Sequence, residues 1–165
     1  MTDEKYRLTR VSLDSDWAAY DEIRSGAHLS TGERVGMDED DLPDKRSEAN
    51  HRLLLIHRAE PLGAAHIEYL RGSMVAIRLA TISEDRRQEG HGRVLVQLVE
   101  DFARAIGARR MVVNATPDTM EFFSRLDYIT ERWSDPRPSS GNSVQMAKRL
   151  KQIDRDVNSS IDRAG

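Results

Sequence analysis

The chemistry-bearing stretch of this chain is Arg86-Arg87-Gln88-Glu89-Gly90-His91-Gly92-Arg93. Two glycines stand two apart among arginines, and these residue types suit the holding of a phosphate or another anion. Glycine lets the backbone approach a ligand closely and adopt positive φ. Arginine adds full positive charge and a fork of donors. The arrangement works where a helix begins, because the first turn carries N–H groups without internal partners at the positive end of the helix dipole. The plainer reading of the same residues is a tight strand-to-helix turn. Two other phosphate loops are excluded by spacing. No Gly-x-x-x-x-Gly-Lys-Ser/Thr run exists, and Arg93-Val94-Leu95 after Gly92 leaves a Gly-x-Gly-x-x-Gly fingerprint without its third glycine.

The flanks supply the elements such a loop needs. Residues 74–83 alternate, with Val75, Ile77 and Leu79 facing one way and Ala76, Arg78 and Ala80 the other, which predicts a strand. Val94, Leu95, Leu98, Val99, Phe102, Ala105 and Ile106 recur at helical spacing and predict an amphipathic helix that Gly107 ends. Upstream, residues 5–13 predict a first strand. Asp14 or Ser15 then caps a helix through Trp17, Tyr20 and Ile23 as far as Gly26. Residues 33–50 hold the acidic block Asp38-Glu39-Asp40-Asp41 and predict a solvated loop with a short helix over 44–49. A meander follows: a strand over 52–58, a turn at Glu60-Pro61, a strand over 62–70, and a turn at Arg71-Gly72-Ser73 into the central strand. If Gly72-Ser73 alone make the turn, Tyr69 pairs with Ala76, and His66 and Glu68 face away; a shift of one residue reverses this.

Beyond Gly107, residues 109–114 predict a strand parallel to the central one, because a helix separates the two. Thr116 caps a helix from Pro117 whose apolar face is Met120, Phe122, Phe123 and Leu126. Residues 132–143 read as loop, 144–150 as a last strand and 151–165 as a polar tail, so one domain over 1–150 is expected. The size, 165 residues, suits a single core. With 32% charged and 38% hydrophobic residues the chain is globular rather than disordered. A net charge of −3 argues against a dedicated nucleic-acid binder. The absence of cysteine excludes disulfides and thiolate chemistry. No apolar run has membrane-spanning length and residues 1–10 lack a signal-peptide core, so no membrane partner and a cytoplasmic location are expected. No metal site is expected.

Arg87-x-x-Gly90-x-Gly92, between a strand and a long helix, resembles the acetyl-CoA loop of the GNAT superfamily of N-acetyltransferases. Several further features resemble that family in the same order. They are Ile82 five residues before Arg87, Asn114-Ala115-Thr116-Pro117 before a helix, Phe122-Phe123-Ser124-Arg125-Leu126-Asp127-Tyr128 against the pattern Phe-Tyr-x-x-x-Gly-Phe, and Met146-x-Lys148-x-Leu150 as a closing strand. The resemblance covers residues 5–150. It implies an α/β (α+β) fold: a mixed, mainly antiparallel central sheet with helices on both faces and a splayed parallel strand pair. It implies acetyl-CoA as acyl donor, its pantetheine arm added like a strand beside Ala80 to Ile82. The pyrophosphate would rest on Arg87, Gln88, Glu89, Gly90, His91, Gly92 and Arg93. Asn114 and Phe123 would complete the cofactor side, Phe123 as an apolar wall. His91 would offer its backbone N–H rather than its imidazole.

The resemblance also has departures. Many members carry a proton-donating tyrosine where this chain has Phe123, a glycine where it has Asp127, and some a basic glutamate where it has Ala76. No catalytic residue is therefore carried over; His66, Glu68 and Tyr69 are weighed as polar replacements and read as structural. The leading reading is an N-acyltransferase for a small amine or a protein amine, monomeric or homodimeric. A non-catalytic acyl-CoA-binding module stands beside it, and a nucleotide-binding protein behind both.

Overall fold

A computed structural model describes residues 5–26, 49–138 and 141–152. The acidic block at 38–41 and the short helix predicted over 44–49 lie largely outside the described residues, as does most of the tail. The described elements are β1 (Tyr6–Arg10), α1 (Asp14–Ser25), β2 (Asn50–His57), β3 (Glu60–Leu70), β4 (Met74–Ile82), α2 (His91–Ala105), β5 (Arg110–Ala115), α3 (Pro117–Arg125), β6 (Ile129–Thr130) and β7 (Val144–Arg149). They form a seven-stranded sheet in the order β1-β2-β3-β4-β5-β7-β6. Only β4 and β5 run parallel; every other pairing is antiparallel. The predicted mixed sheet is thus the observed one.

Strand alternation divides the core between the two faces. Leu53, Leu55, Val75, Ile77, Met111 and Val113 join Leu95, Val96 and Val99 of α2 and Phe123 of α3 in the main cluster. Leu54, Ala64 and Leu79 meet Tyr20 and Ile23 of α1 on the opposite face. On that same face Ala76, Val112 and Ala147 are covered by Trp133 from the segment after β6. The Asp16 carboxylate accepts from the amides of Ser12 and Leu13 at 3.1 and 3.0 Å, and α1 starts at Asp14 with Leu13, one residue before the predicted cap, in the capping position.

One turn differs from the prediction. The β2–β3 hairpin turns at Arg58-Ala59, with φ of 52° and 69°, rather than at Glu60-Pro61. Two successive positive φ values are what a tight hairpin matching the strand twist requires. The β3–β4 turn is the expected Arg71-Gly72-Ser73, one residue longer than a two-residue Gly72-Ser73 turn, since Leu70 pairs with Met74. That extra residue shifts the register, so Glu68 and not Tyr69 stands opposite Ala76. Ile67 then pairs with Ile77 but His66 with Leu79, leaving Arg78 as a bulge. His66 and Glu68 therefore lie on the face of α1 and Trp133, the reverse of the expectation.

Candidate functional site

The parallel ladder between β4 and β5 is short. It runs from Met74↔Arg110 to Ile77↔Val113 and stops there. Ala80, Thr81 and Ile82 still pair with Ala65, Ala64 and Gly63 of β3 but have no partner on the β5 side. The strands have parted, leaving one edge of β4 without a strand partner, an edge of the kind an extended ligand pairs with. Gly63 shapes this end of the strand: a Cβ there would lie 2.9 Å from Ile82 Cδ1.

From Ile82 the chain passes through a single 3-10 turn, Glu84–Arg86, into the glycine loop. Gln88 at φ 65° and Gly90 at φ 87° are both left-handed. Left-handed residues alternating with others are how backbone nests turn successive N–H groups toward one concavity. No atom would meet a Cβ on Gly90, so its glycine serves the dihedral rather than space. Gly90 is also the N-cap of α2, and α2 starts without a side-chain cap or an acidic residue in its first turn. The other helices differ: α1 has Asp14 and Asp16 there, and α3 has the Thr116–Thr119 hydroxyls. The leading N–H groups of α2 are thus left to an outside partner.

The predicted charges divide into separate tasks. Arg87 is not aimed at the nest: its Nε donates to Ile82 O at 3.1 Å and its Nη2 to Gly26 O. Arg86 pairs with Glu89 at 3.1 Å, and that contact is the first cause holding the Glu89 carboxyl below the usual range. Arg93 is exposed and has no partner among the described residues. The His91 imidazole is buried, its Nδ1 bonded to Tyr6 Oη at 2.8 Å and its Nε2 3.4 Å from Glu89 Oε2. Tyr6 stacks on His57, with ring centroids 4.3 Å apart. Nothing in the residue pattern marks Tyr6 for the site, because it reaches the loop from 85 residues away.

Asn114 and Arg78 are the first residues beyond the last β4–β5 pair, and one carboxylate joins them. Asp135 accepts from Arg78 Nη1 and Nη2 at 3.2 and 2.9 Å, from Asn114 Nδ2 at 2.7 Å, and from the Arg137 amide at 2.8 Å. Burial works to raise the Asp135 pKa, but these hydrogen bonds outweigh it and hold the carboxyl below the usual value. Glu68 completes the cluster, pairing with Arg78 at 2.9 Å and with Arg137. Both Glu68 oxygens are engaged by guanidinium groups. Phe123 is fully buried, edge-on to Phe122 and Tyr128 at 5.2 Å.

A sequence model of the acetyltransferase (GNAT) family matches residues 17–128. The chain belongs to the GNAT family. No curated protein matches it at the level of sequence. Solved structures share the GNAT fold at low identity. The ribosomal-protein-S18-alanine N-acetyltransferase of Escherichia coli has 15% identity and a TM-score of 0.65, over 90% of this chain and 96% of that one. A GNAT-family acetyltransferase of Staphylococcus aureus Mu50 has 15% identity and a TM-score of 0.66, over 88% and 99%. N-acetylglutamate synthase of Neisseria gonorrhoeae, solved with coenzyme A and N-acetylglutamate, has 19% identity and a TM-score of 0.63, over 89% of this chain and 35% of that one.

As a GNAT chain it is of the acyltransferase class that draws on acyl-CoA. Asp127, standing where the GNAT pattern has glycine, takes φ 71° and so keeps the left-handed exit from α3. Among the described residues no group of His, Asp and Glu could hold a metal ion, and no helix is long and apolar enough to cross a membrane.

Proposed function

We propose that this chain transfers an acetyl group from acetyl-CoA to a primary amine by direct attack, with donor and acceptor bound together. The observation that carries the reading is the parting of β4 and β5 beyond Ile77 and Val113, beside a loop that leads into an uncapped helix start. An extended pantetheine arm suits the free edge of residues 80–82 as an added strand would. A pyrophosphate suits the N–H groups of residues 88–93, with Arg93 as the partnerless cation nearby. When bound, the thioester supplies the activated acyl group. A main-chain N–H near Ile82 would serve the charge that develops on the carbonyl oxygen. Phe123 shares its core with Ala80 and Ile82 and walls the thioester end against water.

Neither Ala76 nor Phe123 can move a proton, so the reading gives neither position an acid or base role. The same fact supports a second reading, a non-catalytic acyl-CoA-binding module. The neighbours' names point to different acceptors, an alanine of a ribosomal protein and a glutamate, so the fold alone does not choose one. The test is free-thiol release from acetyl-CoA with a panel of amines, amino acids and peptide N-termini, alongside calorimetric binding. Transfer to any amine supports the enzyme; tight binding with no transfer across the panel supports the module. No binding at all overturns both.

A further inference from the structure

Arg78 and Asn114 would form the next step of the β4–β5 ladder after Ile77↔Val113, yet no ladder forms between them. Asp135 stands there instead and accepts from both side chains. The Asp135 side chain is only 2% exposed, and its carboxylate has four described donors. It comes from the segment between β6 and β7. That segment lies across the α1 face: Trp133 covers Ala76 and Val112, and Arg137 reaches Glu68 on β3. One carboxylate thus bridges the two strands at the point where they part.

We propose that Asp135 is a positioning residue: a clamp that fixes how far β4 and β5 open and closes the gap on the α1 face. The proposal rests on the reading of that gap as the acyl-CoA groove. Without the carboxylate, Arg78 and Asn114 lose their common partner just where the β4–β5 backbone ladder has ended. A neutral amide cannot replace it, because Asn offers one acceptor oxygen where Arg78 and Asn114 together use two. Glu68 provides the internal control. It is also buried and shares Arg78 and Arg137, but it links β3 to β4, which stay paired through Ile82.

The experiment compares Asp135→Asn with Glu68→Gln by thermal unfolding, acetyl-CoA calorimetry and amide hydrogen exchange. Both variants lower Tm. Asp135→Asn is expected to weaken acetyl-CoA binding about tenfold or more and to speed exchange at residues 79–82 and 114–115. Glu68→Gln is expected to leave affinity within about twofold and that exchange unchanged. Equal effects of the two variants on affinity and on exchange would overturn the clamp and leave a general structural network. If the wild type does not bind acetyl-CoA, the groove reading falls, and exchange alone decides the clamp. Faster exchange confined to residues 79–82 and 114–115 in Asp135→Asn upholds it, and unchanged exchange overturns it.

Discussion

Arg87 donates through Nη2 to the carbonyl of Gly26, the residue that ends α1. Its Nε holds the carbonyl of Ile82, so one guanidinium joins the ends of a helix and a strand at the entry to the loop. Removing it leaves two carbonyls without a charged donor, and because Arg87 is only half-buried water replaces much of what is lost. Arg87→Ala should lower stability by about 2 kcal/mol and weaken acetyl-CoA binding by loosening the loop. Arg87→Lys should recover part of each, since an ammonium lacks the fork that spans two carbonyls. Denaturant unfolding and calorimetry check this; an affinity untouched by the Ala variant would show that the tie does not set the loop.

The two loop glycines should respond differently. Gly90 is left-handed, so Gly90→Val imposes strain of about 1–2 kcal/mol and should lose acetyl-CoA, while Gly90→Asn should retain more because asparagine tolerates that region. Gly92 lies in the first turn of α2 and is not left-handed. Gly92→Asp should therefore raise or maintain Tm, an acid there favouring the dipole, while repelling the pyrophosphate. Stability and affinity moving in the same direction in Gly92→Asp would contradict the anion-site assignment.

Glu89 is an acid inside the proposed anion site, held by Arg86 and close to His91. Its carboxyl stays charged throughout the neutral range, because Arg86 holds it below the usual value. Glu89→Gln should release Arg86 toward a phosphate and improve acetyl-CoA affinity a few-fold, most clearly at low salt. Titrations at two ionic strengths test this, and a weaker complex at low salt would show that Glu89 supports the loop instead.

Behind the site, Tyr128 donates to Glu100 at 2.8 Å and Lys148 pairs with the same carboxylate at 2.9 Å. Burial first, and then the Glu100 charge, push the Tyr128 pKa well above the ordinary tyrosine value. A folded-state pKa raised in this way gives stability that is complete below the unfolded pKa, about 10. It is lost as pH rises beyond that. Unfolding midpoints should show no tyrosine-linked loss from pH 7 to about 9 and then fall. Lys148→Met should destabilise by about 2 kcal/mol, less than for a wholly buried pair because the lysine is partly exposed. A midpoint unmoved by that substitution would show the network to be inert.

The elements that the sequence predicts well are those with local periodicity. β4 alternates as expected up to Ile77, α2 repeats at helical spacing, and the loop between them is marked by its own glycines; past the Arg78 bulge Leu79 and Ala80 have exchanged the faces expected of them. What stayed hidden depends on single residues or on distant ones. Arg58-Ala59 turns a hairpin without the glycine or asparagine that announces one. The bulge at Arg78 follows from cross-strand packing rather than from residue type. Asp135 reads as one more polar residue in a proline-containing loop, because its partners lie 21 and 57 positions away. Arg87 was legible as a cation of the loop, but its carbonyl partners were not, since Gly26 belongs to another element.

The position of β7 has a consequence for how the chain becomes folded. β7 fills the place between β5 and β6, so β5 is an apolar edge until residues 144–149 have been made. During synthesis Met111, Val112 and Val113 must wait for that strand, with β4 covering only four residues of their other side. An unpaired apolar edge of this kind is a template for association with other chains. Fragments released from the ribosome that end between residues 116 and 143 should therefore associate with one another or bind chaperones, and fragments extended through Leu150 should not.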